Sequence, residues 1–170
     1  PYPYKNLCGT GVAYQLMAIL YEQFGRGKEE MYRYLDYTAI ATVADVMELN
    51  GENRILVKEG LNRLHHTKRP GLLALMEVTG IEPESVTSYH VGFVIGPCFN
   101  AAGRLDTVKT AILLLRAQDR ETAMKYAAAL REMNEERKNL TLEGAEQAQA
   151  MIDQAQWKDD RVYLVYLPNC

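Results

Sequence analysis

The sequence has no apolar run near the ~20 residues that a membrane-crossing helix needs, and no basic stretch leading into an apolar one at its start. It has only three cysteines, Cys8, Cys98 and Cys170, far apart, odd in number and without a CxxC pair. A disulfide framework is thereby excluded, and the pattern suits a soluble protein in a reducing, cytoplasmic setting. Positive charge is in deficit: 19 Lys and Arg stand against 22 Asp and Glu, a net charge of −3. No global basic field exists to hold a polyanion, so any nucleic acid must be gripped by local groups. Repeats and low-complexity tracts are absent. The 170 residues are 48% hydrophobic and 24% charged, which is ordinary for a globular chain and fits one domain, or part of one.

Along the chain, Val12, Ala13, Leu16, Met17, Leu20 and Phe24 recur at helical spacing and predict an amphipathic helix closed by Gly25. Residues 35–43 (LDYTAIATV) are dense in Thr, Ile and Val without helical periodicity, and predict a buried strand ending at Ala44-Asp45. After the Asn50-Gly51 turn signal, Ile55, Leu56, Leu61 and Leu64 predict a second helix with a basic end. Pro70-Gly71 opens a third, stopped by Gly80, and Thr87 or Ser88 caps a fourth that Gly96-Pro97 interrupts. Residues 107–115 form a further apolar helix. From Asp119 to about Gln156 a narrow apolar stripe predicts one helix of up to ~55 Å, with Gly144 as a candidate break; such a helix suits a connector between domains.

Several residues carry chemistry, each beside a plainer reading. Gly9-Thr10-Gly11 before a helix has the look of a phosphate-cradling loop, yet the third glycine of the dinucleotide fingerprint would fall on Tyr14, and a tight turn into the helix is the favoured reading. His65 and His66 are neighbours, so on a helix they point about 100° apart and do not readily share one ion. They belong to the one basic concentration, with Arg54, Lys58, Arg63, Lys68 and Arg69, which either tracks phosphates or is a solvated helix end. Asp45, expected at a strand end, is either a hard-cation ligand or an N-cap for residues 46–49. In Gly96-Pro97-Cys98-Phe99-Asn100-Ala101-Ala102-Gly103-Arg104-Leu105, small residues admit a close backbone or ligand and Arg104 offers a planar fork for phosphate; Gly103 as a simple helix cap is the alternative.

Residues 161–167 (RVYLVYL) read as a strand of β-branched and aromatic residues with few residues after it. A lone strand cannot satisfy its ladder, so its sheet is expected elsewhere, making the chain an internal piece of a longer protein; pairing within the chain is the alternative.

The order of four segments, YPYKNLCGTGVA at 2–13, TAIATVADV at 38–46, GENR at 51–54 and the decapeptide at 96–105, resembles the RecJ single-strand-specific exonucleases of the DHH phosphoesterase superfamily, over essentially the whole chain. The resemblance implies an α/β fold, mostly helical here. Residues 1–118 would be the latter part of a DHH-type parallel-sheet domain, 119–157 a long connector helix, and 158–170 the first strand of a truncated DHH-associated domain. It implies a metal-dependent exonuclease of DNA repair and recombination that degrades single-stranded DNA from the 5′ end. Two Mn2+ or Mg2+ ions would activate water there. Asp45 matches a metal ligand, and Asn100 and Arg104 match phosphate contacts. Many relatives carry a basic residue where Cys98 stands, and the Asp-His-His and Asp-x-Asp signatures are absent from these residues; His65-His66, preceded by Leu64, is not that signature. The isolated chain is therefore expected to be inactive and to self-associate through exposed apolar surface. Two other readings stay open: a non-catalytic DHH-fold scaffold or DNA-binding module, and a phosphoesterase of short oligonucleotides or cyclic dinucleotides.

Overall fold

The computed structural model describes residues 2–27, 29–105, 108–154 and 161–167, with the backbone alone at 104 and 105. Every regular element among them is helical. The order is α1 (Gly9–Gln23), α2 (Glu29–Tyr32), α3 (Leu35–Ala44), α4 (Gly51–Leu64), α5 (Pro70–Thr79), a 3-10 turn at Pro83–Ser85, α6 (Ser88–His90), a π-helical turn at Val91–Ile95, α7 (Gly96–Leu105), α8 (Lys109–Arg116) and α9 (Arg120–Gln154).

The expected strand at 35–43 is helix α3. Its missing periodicity reflects burial on most sides, since Leu35, Asp36, Thr38, Ala39, Ile40 and Thr42 are all buried. The threonines fit because their hydroxyls bond back along the helix, Thr38 to the Tyr34 carbonyl at 3.0 Å and Thr42 to the Thr38 carbonyl at 2.7 Å. α4 crosses α3 at Gly60, where a Cβ would stand 2.3 Å from the Leu35 carbonyl oxygen and 2.4 Å from Ala39 Cβ. Only glycine permits that approach.

Gly96-Pro97 does not end the helix that Thr87 caps. The chain passes from α6 into α7 through the π-helical turn, with the Gly96 N–H bonded to the Val91 carbonyl five residues back. Widening the ladder just before Pro97 relieves the clash its ring makes in an ordinary turn, where its missing N–H also leaves a gap. Gly96 lies against Ala44, whose Cβ a methyl group added at Gly96 would meet at 2.9 Å.

The core holds Leu64, Leu72, Leu75, Val91, Ile95 and Leu114, all essentially inaccessible to water. α5 begins at Pro70, a favoured first helical position, and stops at Gly80 in the left-handed conformation (φ 72°). α9 runs unbroken through Gly144, and its first half packs Ala123, Ala127, Leu130 and Asn134 against α5, α7 and α8. Past Asn134 only Gly144 is buried among its described residues.

Two apolar surfaces stay open. Of the stripe read as amphipathic, Val12, Leu16, Met17 and, just past the end of α1, Phe24 are exposed, and so is Ile19. Residues 162–167 form no strand, and Val162, Leu164 and Tyr166 are exposed.

Candidate active-site groove

α3 is held from two sides, by α4 at Gly60 and by the π-helical turn at Gly96, so its C-terminal end is fixed relative to α7. Asp45 caps that end and is exposed. It therefore stands at a helix C-terminus, neither at a strand end nor as an N-cap, because residues 47–49 form no helix. The next residue closes the helix in a Schellman motif: Val46 N–H bonds the Val43 carbonyl at 3.0 Å and Met47 N–H the Thr42 carbonyl at 3.2 Å. Val46 adopts φ 55°, a conformation that glycine takes freely and a β-branched residue takes at a cost.

Asp45 and Asn100 line one groove of about 530 Å³, with apolar walls that include Ala41, Ala44, Phe99 and Ile112. Asn100 projects from α7 and is exposed. The two residues singled out from distant parts of the sequence are thus brought together. Arg104 lies one helical turn beyond Asn100 in sequence, and its side chain falls outside the described residues. Gly103 sits inside α7, not at its end, so it is no helix cap.

No partner for the Asp45 carboxylate is present among the described residues. An anion at a helix C-terminus meets the negative end of the backbone dipole, so this position favours a cation beside it. A hard divalent ion suits a free carboxylate. Among the described residues no group of three His, Cys, Asp or Glu side chains comes together to hold a metal.

The remaining expected residues lie elsewhere. Cys98 is buried in the core and its thiol is pushed up by that burial, so the side chain at this position takes no part in the groove. His65 packs its Nε2 against the Val86 carbonyl at 2.7 Å, while His66 is exposed, with the two rings edge to face. Gly9-Thr10-Gly11 is the first turn of α1, where the Cys8 sulfur accepts from the Gly11 N–H at 3.4 Å.

One residue beside the groove and one lining it carry no sequence signal. Valine is the residue least expected after Asp45, since nothing local marks a left-handed position there. Tyr37 lines the groove and donates its hydroxyl to the Leu115 carbonyl at 3.1 Å, and burial raises its pKa and keeps it a donor.

No protein-family model matches the chain. It is 36% identical over 161 residues to the single-stranded-DNA-specific exonuclease RecJ of Salmonella typhimurium, which covers 89% of this chain and 28% of that protein. The crystal structure of Thermus thermophilus RecJ in complex with Mg2+ matches with a TM-score of 0.78 and 34% identity, over 86% of this chain and 23% of that one. An exonuclease RecJ bound to manganese matches at 0.76 and 35% identity, over 91% and 38%. Sequence and fold together place this chain among the RecJ-like proteins. It spans about a quarter of the length of the Salmonella and Thermus proteins.

Proposed function

We propose that the chain is part of an exonuclease that hydrolyses single-stranded DNA from its 5′ end, with Asp45 as one ligand of a divalent metal and Asn100 and Arg104 as phosphate contacts. The observation that carries this is the meeting of Asp45 and Asn100 in one groove of a RecJ-like fold. In this reading residues 1–118 are the latter part of a DHH catalytic domain, 119–157 a connector and 158–170 the start of a DHH-associated domain. The complete protein acts in the cytoplasm, and this chain alone is inactive.

Bound Mn2+ or Mg2+ supplies a nucleophilic water and charge stabilisation for phosphodiester hydrolysis. The chain's own residues do the rest. Asp45 contributes fixed negative charge at a position held by the glycine contacts of α3. Asn100 donates its amide to a backbone oxygen, and the apolar walls of the groove keep bulk water from the strand. Arg104 adds a planar fork for a neighbouring phosphate.

The test uses the full-length protein. Asp45→Asn keeps the shape and removes the charge, so hydrolysis of a labelled single strand in Mn2+ should fall by orders of magnitude while binding of that strand persists. Turnover like that of the unaltered protein at saturating Mn2+ refutes the assignment.

A further inference from the structure

We propose that a second groove, at the other end of α3 from Asp45, binds the phosphate backbone of the same single strand at a distance from the bond that is cut. The identity of the ligand rests on the RecJ-like reading above; the groove itself rests on its own residues. It has a volume of about 580 Å³ and draws Arg33, Arg63, His66, Lys68 and Arg69 together from the ends of α2, α4 and the turn before α5. Four of these are permanently charged cations, in a chain whose net charge is −3.

Two carboxylates, Asp36 and Glu59, also line it. Asp36 is already committed, because the Arg69 Nε donates to it at 2.7 Å. Among the described residues Arg33, Arg63 and Lys68 form no ion pair. Three uncompensated cations against one free carboxylate leave the groove positive, and spread along its walls they suit a chain of phosphates better than one anion.

The arginines are interleaved with aromatic rings. Arg63 stands 5.6 Å from the ring centre of Tyr32, Arg33 4.9 Å from that of Tyr34, and Arg69 4.3 Å from that of Tyr37. A ring under a guanidinium fixes its plane without consuming its donors, so those of Arg33 and Arg63 stay available to an incoming phosphate, while Arg69 already gives Nε to Asp36 and Nη2 to the Arg33 carbonyl. Tyr32 is itself 43% exposed and offers a face on which a base can stack.

The two grooves lie on either side of Leu115. Leu115 lines both, and Tyr37, whose ring lies beneath Arg69, lines the Asp45 groove and bonds the Leu115 carbonyl. From Asp36 to Asp45 the helix rises about 14 Å, a separation bridged by a short run of nucleotides.

The test is strand binding by the full-length protein carrying Arg63→Glu with Lys68→Glu, followed by fluorescence anisotropy on labelled dT4 and dT20 across a salt series. Loss of two phosphate contacts should lower the slope of log K against log salt by about 1.4 for dT20. The dT20 Kd should rise about tenfold, with a much smaller rise for dT4. Arg63→Lys with Lys68→Arg should restore both the slope and the Kd. An unchanged Kd and slope, or equal losses at both lengths, overturns the groove. Should the charge reversal lower the melting temperature, Arg33→Gln, at an exposed position, provides the same comparison. Absence of any single-strand binding by the unaltered protein overturns the RecJ-like reading of the ligand instead, so the two failures are separable.

Discussion

The Nε of Arg69, at the start of α5, donates to the carboxylate of Asp36 on α3 across 2.7 Å, with the Asp36 side chain 6% exposed and that of Arg69 28% exposed. Burial acts to lower the Arg69 pKa, but the hydrogen bond and charge of Asp36, with Tyr37 and Tyr34, together outweigh it and leave it raised. The same guanidinium bonds the Arg33 carbonyl and covers Tyr37, so one residue joins α2, α3 and α5.

Removing the carboxylate leaves a half-buried cation without its counter-charge. Asp36→Ala should cost about 2 kcal/mol, below the ~3–5 kcal/mol of a wholly buried pair because Arg69 still reaches water. Urea denaturation at neutral pH measures this; a midpoint equal to that of the unaltered chain shows that the pair contributes nothing.

Val46 is 88% exposed, so its side chain gains little from packing, while its backbone is left-handed. Val46→Gly removes the Cβ clash and should stabilise the fold by roughly 0.5–1 kcal/mol despite glycine's greater freedom in the unfolded chain. A lower melting temperature in the variant would contradict this. A strained residue persists where its surroundings over-determine it, here beside the carboxylate of the groove.

At Gly60 the backbone of α4 lies directly against α3. A methyl group there must displace the Leu35 carbonyl, which is backbone and cannot rotate away, so Gly60→Ala should destabilise by about 2 kcal/mol or more. Gly80→Ala meets open space and serves as the comparison, since its cost is the left-handed φ alone. Equal losses at the two positions would mean that the helix crossing yields easily.

Asp119 caps α9, accepting the Thr122 N–H at 2.8 Å, and that bond holds its carboxyl below the ordinary range. A depressed carboxyl contributes stability that is present above its unfolded pKa of about 3.9 and is lost as pH falls through the lower folded value. Stability should therefore decline on acidification through that window, and Asp119→Asn, which caps without titrating, should flatten this part of the profile. Denaturation midpoints across an acid series test it; parallel profiles for the two proteins would remove the cap from the account.

Local punctuation made several helices legible in the sequence. Pro70 and Gly80 bound α5 because one presets a helical φ and the other tolerates a left-handed one, and Asn50-Gly51 marks the entry to α4 for similar reasons. α3 was opaque because a helix buried on most sides has no polar face, leaving its Thr and Val content to suggest a strand. Pro97 misled in the opposite sense: a helix breaker by local rule, it is accommodated by a ladder bonded five residues apart, which depends on the glycine contact with α3. Of the groove, Asp45 and Asn100 were recognisable by motif. The contact between the two helices that carry them, Gly96 packed on Ala44, has no local signal.

The π-helical turn at Val91–Ile95 makes the groove a matter of phase. One residue removed there would leave an ordinary helix and turn every later side chain by about 100° relative to α6. With α6 held in place, Ala101 and Ala102, now wholly buried, would leave the core and Asn100 would leave the groove with them. The composition of the segment would be nearly untouched, yet the amide and the carboxylate would no longer share a wall. Length variation between residues 88 and 96 is therefore far more damaging than substitution at most positions within them.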